Sequence, residues 1–302
     1  MDLIFRPQLL KPSRLIAFFL FTGISCGALA DSYPKLRDCH DPQLQSRLEA
    51  SIDRLGLSDA VKRNSLSISL VDITDPYQPR LAAINGDHMR YAASLPKIAI
   101  LLGAFVQIEQ GKLHLDKATR KTLTDMIRVS SNSAATQMLR RVGQANLADI
   151  LQSSRFKLYD PTYNGGLWVG KEYASSKAWR RDPLHNISHG ATAMQAARFF
   201  YLLETEQLVS PALSVEMKEM LSNPGINHKF VKGLMSIQPD SKIMRKSGSW
   251  RRWHADSALV ERDGHKYIIV ALAENEQAGS WFPRIAKDLD GLIIPQKLAA
   301  LQ

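Results

Sequence analysis

Ser94-Leu95-Pro96-Lys97-Ile98-Ala99-Ile100-Leu101-Leu102-Gly103-Ala104-Phe105-Val106-Gln107-Ile108-Glu109-Gln110 is the stretch on which the reading of this chain turns. Ile98, Ile100, Leu101, Leu102, Phe105, Val106 and Ile108 leave almost no polar face. A helix apolar nearly all round is buried on every side. Pro96 falls in its first turn, where a missing N–H costs nothing, and Gly111 ends it. Ser94 and Lys97 stand three apart at the start of that helix and share a face, so Lys97 Nζ can reach Ser94 Oγ. A serine hydroxyl is a poor nucleophile until a base takes its proton. Burial disfavours an ammonium, lowers the lysine pKa and makes it a usable base. The helix N-terminus adds N–H groups and a positive dipole end for a developing oxyanion. Ser-x-x-Lys is weak by itself, because a chain of ordinary composition holds about one by chance. Ser154-Arg155-Phe156-Lys157 is a second match, but it lies in a polar tract at a helix end.

Downstream, residues 124–142 read as helical with a break at Ser130-Ser131-Asn132. A break inside a helical run puts side chains into a cleft. Ser130 can pass a proton to a leaving nitrogen, and Asn132 carries both a donor and an acceptor for a substrate amide. Taken alone, the tripeptide reads first as an ordinary helix N-cap. Further on, Lys246-Ser247-Gly248-Ser249 places a cation, a hydroxyl and a glycine on a strand. An edge strand of this kind can pair with an extended substrate. Lys246 and Ser247 can hold a carboxylate, and Gly248 permits close backbone approach. The N–H of Ser249, with that of Ser94, can form an oxyanion hole. Taken alone, this stretch reads first as an ordinary strand end with a turn.

Outside these boxes the chain has no repeats and no low-complexity segments. Residues 42–56 read as a helix with Leu44, Leu48, Ile52 and Leu55 on one face. Ser67–Thr74 alternates as a strand, broken by Asp75-Pro76, with Arg80–Ile84 as its hairpin partner ending at Asn85-Gly86. Leu147–Leu151 continues the helical middle. Residues 157–190 hold Pro161, Gly165, Gly166, Gly170 and Pro183 with little periodicity, and a loop this long is usually functional. Thr192–Glu206 is helical. Lys242–Ser247, Ala255–Glu261 and Lys266–Ala273 are short alternating strands, with a turn at Arg262-Asp263-Gly264. Phe282–Leu301 is a closing helix. The expected fold is therefore α+β: an antiparallel sheet from both termini with an inserted all-helical subdomain.

The N-terminus reads as an export signal. Arg6, Lys11 and Arg14 precede an apolar run from Leu15 to Leu29, and Ala28-Leu29-Ala30 is a small-residue cleavage site. Residues 1–30 are expected to be removed, leaving 31–302 as one catalytic domain in the periplasm or secreted. Its α/β part covers about 31–90 and 207–302, and its helical part about 91–206. The run is short for a membrane span, and Gly23 argues against lipidation at Cys26. About 270 residues suffice for a sizeable core. Only Cys39 survives cleavage, so no disulfide forms within the mature chain. Of the full chain's net charge of +10, Arg6, Lys11, Arg14 and Asp2 account for two, leaving about +8 on the mature protein. The charge is dispersed. No basic run interleaves with aromatics, so nucleic acid is not an expected partner, while an anionic cell envelope attracts such a surface.

The three boxes, in this order, resemble those of the class A serine β-lactamases and the related penicillin-binding peptidases: S-x-x-K, S-D-N and K-T-G. The resemblance runs over nearly the whole mature chain. His189-Gly190-Ala191-Thr192-Ala193-Met194 and the helix after it also look like the segment behind that family's active-site loop. The resemblance implies a monomeric hydrolase without cofactor or metal that acts on a β-lactam or a peptidoglycan peptide. Ser94, Lys97 and Ser130 would be its catalytic residues, and Asn132, Lys246, Ser247 and Ser249 its substrate-binding residues. The lead expectation is a β-lactamase with an acyl-enzyme on Ser94. The alternatives are a penicillin-binding peptidoglycan carboxypeptidase or amidase, and a non-turnover binding protein.

Three departures bear on that choice. Ser131 stands where the family has Asp. The stretch between the Lys97 helix and Ser130 is shorter than in typical members, so one cleft wall differs. The family's Glu-Pro-x-x-Asn element, whose glutamate activates the deacylating water, is matched only by Asp160-Pro161-Thr162-Tyr163-Asn164, one methylene shorter. Glu172 is a second candidate without the spacing; an Asp-Pro turn and a solvated loop charge are the plainer readings of the two. His185 and His189 lie four apart in a loop with no third ligand, which points away from zinc. Trp250-Arg251-Arg252-Trp253-His254 either rims the cleft or packs as a hairpin tip.

Overall fold

The computed structural model describes residues 1, 2 and 33–295. The expected export signal and the expected end of the closing helix at Leu301 lie outside the described residues. In chain order, helices α1 (Pro42–Arg54) and α2 (Ser58–Lys62) precede strands β1 (Leu66–Asp72), β2 (Arg80–Ile84) and the short β3 (Arg90–Tyr91). Helices α3 (Lys97–Glu109), α4 (Lys117–Arg128), α5 (Asn132–Val142) and α6 (Gln144–Gln152) follow. Short strands β4 (Tyr159–Asp160), β5 (Gly165–Gly166), β6 (Trp168–Val169) and β7 (His189–Ala191) lead to helices α7 (Ala193–Glu204), α8 (Pro211–Leu221) and α9 (Phe230–Met235). Strands β8 (Lys242–Trp250), β9 (Trp253–Arg262) and β10 (His265–Glu274) and helix α10 (Ala278–Ile293) complete the described chain.

Both ends of the chain build one antiparallel sheet in the order β2-β1-β10-β9-β8. The period-2 alternation of strands sends successive side chains to opposite faces, and here both faces are covered. Val71, Met244, Leu259, Ile268, Val270 and Leu272 face the helical part, where α7 lies across β1 and β10. Leu70, Ile243, Val260, Tyr267, Ile269 and Ala271 face a second core formed with α1, α9 and α10, around Leu48, Phe230, Phe282 and Leu289. The result is the α+β arrangement expected from the sequence.

Local chemistry explains the element ends. Asp41 caps α1 by accepting from Leu44 N at 2.8 Å, with Pro42 in the first turn. Asp116 caps α4 through Thr119 N at 2.7 Å, and Thr192 caps α7 through Gln195 N at 3.1 Å. The β9–β10 turn is Asp263-Gly264, with φ of 49° and 77°; two residues at positive φ match the twist of the strands they join.

Some expectations shift. All residues of β1 are buried, Ser67 and Ser69 included, because helices cover both faces; Arg90 donates to Ser67 Oγ at 2.8 Å. Leu147–Leu151 belongs to a separate helix, α6, split from α5 by Gly143 at φ 83°. α4 starts well before residue 124, and α10 starts at Ala278. Helices α2, α8 and α9 carried too little periodicity to be read.

Candidate active site

Ser94 lies in the tight turn that feeds α3. Leu95 N donates to Ala92 O at 3.0 Å, and Lys97 N donates to Ser94 O at 3.2 Å. Ala93, just before the serine, sits at φ 51°, a conformation that costs a non-glycine residue energy and recurs at functional sites. Helix α3 is buried from Lys97 to Val106, so the lysine enters the core with its helix and is 0% exposed. Burial pulls its pKa down to about 7, because a low-dielectric site disfavours the ammonium.

Lys97 Nζ donates to Ser130 O at 2.6 Å, to Asn132 Oδ1 at 2.7 Å and to Ser130 Oγ at 3.3 Å. Among the described residues no hydrogen bond joins it to Ser94 Oγ. The break between α4 and α5 makes this convergence possible. Ser130 sits at φ 59° in that break, and Ser131 caps α5, its Oγ accepting from Ala134 N at 3.2 Å. The serine that replaces the family's aspartate therefore holds the helix end rather than a charge. Lys246 reaches the same point from the edge strand β8. Its Nζ donates to Ser130 Oγ at 2.9 Å and to Ser247 O at 2.8 Å. Burial first, and then the neighbouring Lys97 charge, hold Lys246 well below the usual lysine range. Ser130 Oγ thus accepts from two lysines and keeps its own proton free to donate.

The strand beyond Lys246 touches the serine turn. A Cβ added to Gly248 would stand 2.2 Å from Ala92 O and 2.7 Å from Ser94 N. Only glycine lets β8 lie this close. Ser247 Oγ meets His228 Nε2 at 3.3 Å, and burial, with Arg245 and Lys229 nearby, lowers the His228 pKa to about 4. Ser249 is exposed at the strand end.

Three residues supporting this strand escaped the sequence reading. Arg245 and Asp256 form a buried pair, Nε to Oδ1 at 2.7 Å and Nη2 to Oδ2 at 2.8 Å. Phe230 N donates to Asp256 Oδ2 at 3.1 Å. Lys229 donates to Gly248 O, Ser249 Oγ and Ala255 O at 2.5, 2.8 and 3.1 Å. Arg245 beside the Lys-Ser-Gly box was the one available hint, since a charge inside a buried strand needs a partner.

The loop candidates lie elsewhere. Asp160 turns back on Thr162 N at 3.0 Å and faces a cavity lined by Arg37, Tyr163 and Arg198. Ser154 and Lys157, of the decoy motif, line the same cavity. Glu172 is paired with Arg140 at 2.7 and 2.8 Å, and that partner lowers its pKa. Neither carboxylate is hydrogen-bonded to Lys97, Ser94 or Ser130. What stands over Lys97 is the next residue, Tyr173. Its ring centroid is 4.6 Å from Lys97 Nζ, and its hydroxyl donates to Ala93 O at 3.2 Å. His189 packs on that ring at 4.3 Å, with Nε2 3.0 Å from Lys171 O. His185 meets Asn164 O at 3.2 Å. Among the described residues no group of three or more His, Cys, Asp or Glu side chains is placed to hold a metal. Trp250 and Trp253 pair across the β8–β9 hairpin tip. Trp250 is exposed, and Trp253 stands edge-on to Tyr91 at 5.5 Å.

Residues 47–122 and 117–292 match the model of the beta-lactamase enzyme family. No curated protein sequence matches. Among solved structures the fold is similar to PBP-A, with TM-score 0.60 and 14% identity over 83% of this chain and 95% of that one. It is similar to the β-lactamase from Sphaerobacter thermophilus DSM 20745, with TM-score 0.63 and 15% identity over 80% and 95% of the two chains. A variant of the class A β-lactamase of the last common ancestor of Gram-negative bacteria gives TM-score 0.63 and 19% identity over 78% and 95%. At these identities the structural likeness is one of fold.

Proposed function

The chain belongs to the beta-lactamase enzyme family, and on that premise we propose that it is an exported serine hydrolase that opens β-lactam rings through an acyl-enzyme on Ser94. The observation that carries this reading is Ser130 Oγ held between Lys97 and Lys246, at 3.3 and 2.9 Å, with the strand of Lys246 abutting the serine turn at Gly248. With a pKa near 7, a large share of Lys97 is a free amine at neutral pH and can take the Ser94 proton. Ser94 Oγ then attacks the lactam carbonyl. The N–H groups of Ser94 and Ser249 stabilise the oxyanion. As the carbonyl–nitrogen bond breaks, Ser130 gives its proton to the nitrogen and is resupplied by Lys97. Asn132 meets the substrate amide, and Lys246 and Ser247 its carboxylate. The reading needs no cofactor, no nucleic acid and no second subunit. Export rests on the N-terminal signal; among the described residues no helix is long and apolar enough to cross a membrane.

A second reading, a penicillin-binding peptidoglycan carboxypeptidase or amidase or a non-turnover binding protein, is favoured by one observation. Tyr173, not a carboxylate, stands over Lys97, while the two loop carboxylates are bonded elsewhere, Glu172 to Arg140 and Asp160 to Thr162 N. One solved structure of a PBP-A mutant is an acyl-enzyme complex with penicillin-G. Incubation with penicillin, followed by both turnover and intact mass, separates the readings. Continuous hydrolysis, lost in Ser94→Ala, supports the first. A persistent adduct on Ser94 without turnover sinks it in favour of the second.

A further inference from the structure

We propose that Lys229 is a positioning residue that aims the Ser249 N–H at the oxyanion by gripping the Gly248 carbonyl. This rests on the reading that Ser94 is acylated. Lys229 is 3% exposed and sits at φ 53° at the start of α9. Its ammonium has three protons and meets three acceptors: Gly248 O at 2.5 Å, Ser249 Oγ at 2.8 Å and Ala255 O at 3.1 Å. Every acceptor belongs to the end of the β8–β9 hairpin. Asp256, whose charge favours the Lys229 ammonium through space, is already engaged by Arg245 and by Phe230 N. The hydrogen-bond acceptors of Lys229 are therefore all uncharged dipoles of the hairpin end.

Peptide planarity turns this grip into aim. The C=O of Gly248 and the N–H of Ser249 belong to one rigid trans unit and point in opposite directions. Fixing the carbonyl from behind fixes the N–H in front. The same peptide abuts the serine turn, since a Cβ on Gly248 would fall 2.7 Å from Ser94 N. Lys229 thus adds to the β8–β9 pairing a grip on the peptide that lies against the Ser94 turn. An apolar side chain of equal length would fill the space beside Phe282, whose ring centroid lies 5.4 Å from Nζ. Filling space alone would not require three donors at the hairpin end.

The test compares wild type with Lys229→Met using a fluorescent penicillin. The acylation rate constant at saturation is separated from the dissociation constant of the preceding complex, with folding monitored by circular dichroism. The rate constant should fall ~10- to 100-fold, less than for outright loss of an oxyanion donor, while the dissociation constant changes little. A rate constant within about twofold of wild type in folded protein overturns the proposal. Amide spectra of ligand-free protein give a second, penicillin-independent readout. The Ser249 N–H resonance should move in Lys229→Met, and an unmoved resonance overturns the proposal. If penicillin fails to label even the wild type, the acylation reading falls and the amide spectra alone decide the Lys229 contact. Should Lys229→Met not fold, Lys229→Gln, which keeps two N–H donors but no charge, enters both comparisons with the same criteria.

Discussion

Lys97 shows how much one residue's chemistry depends on where its helix goes. The sequence offered Ser-x-x-Lys at the head of an all-apolar helix, and burial of that helix was enough to expect a weakened ammonium. The sign for activity follows directly. A pKa of about 7 makes the neutral amine scarce below that pH, so the acylation rate constant should rise about tenfold per pH unit below it and level off above. A profile flat from about pH 6 to 8 in stopped-flow labelling would show that Lys97 is not the base. Asp256 was not legible at all. It shares its strand with His254, Ser257, Glu261 and Arg262, and only tertiary pairing reveals that it neutralises Arg245, the two side chains being 0% and 3% exposed. Asp256→Ala should cost about 3–5 kcal/mol in urea unfolding, because it strands a buried guanidinium. The Tyr173 ring over Lys97 was likewise hidden, since nothing in loop sequence says which residue turns inward.

Among elements, the break between α4 and α5 matters most. The sequence located it at Ser130-Ser131-Asn132 but left its purpose divided between a cap and a cleft, and it serves both: Ser131 caps while Ser130 and Asn132 face Lys97. Ser131→Ala should lower stability by about 1 kcal/mol, seen as a lower thermal midpoint. It should also slow acylation, because a frayed first turn of α5 loosens Asn132. Reduced stability with an unchanged acylation rate would confine Ser131 to the cap. Strand β1 shows the opposite limit. Its alternation suggested one wet face, yet helices from distant parts of the chain cover both. Period alone cannot report what a second layer will bury.

For the whole molecule, the sheet serves as a shared wall between two cores. Each face of β9 and β10 supplies one of them, so neither core can open without exposing the sheet that orders the other. Leu289, 0% exposed in the core on the other face of the sheet, provides the test. Leu289→Ala should cost about 2–5 kcal/mol. In a urea titration, loss of circular dichroism and loss of penicillin labelling should then shift together; separate midpoints would show the cores to be independent. The architecture was legible because strands gathered at the two ends of the chain and helices in its middle. Where the two meet was not, because contact between β8 and the serine turn depends on an atom that is absent. Gly248 leaves no room for a methyl group between them. Every single-base change that replaces a glycine codon with another amino acid adds that carbon. A lineage under selection for this chemistry can therefore vary its rim and its loops freely, while this one codon can wander only among its own synonyms.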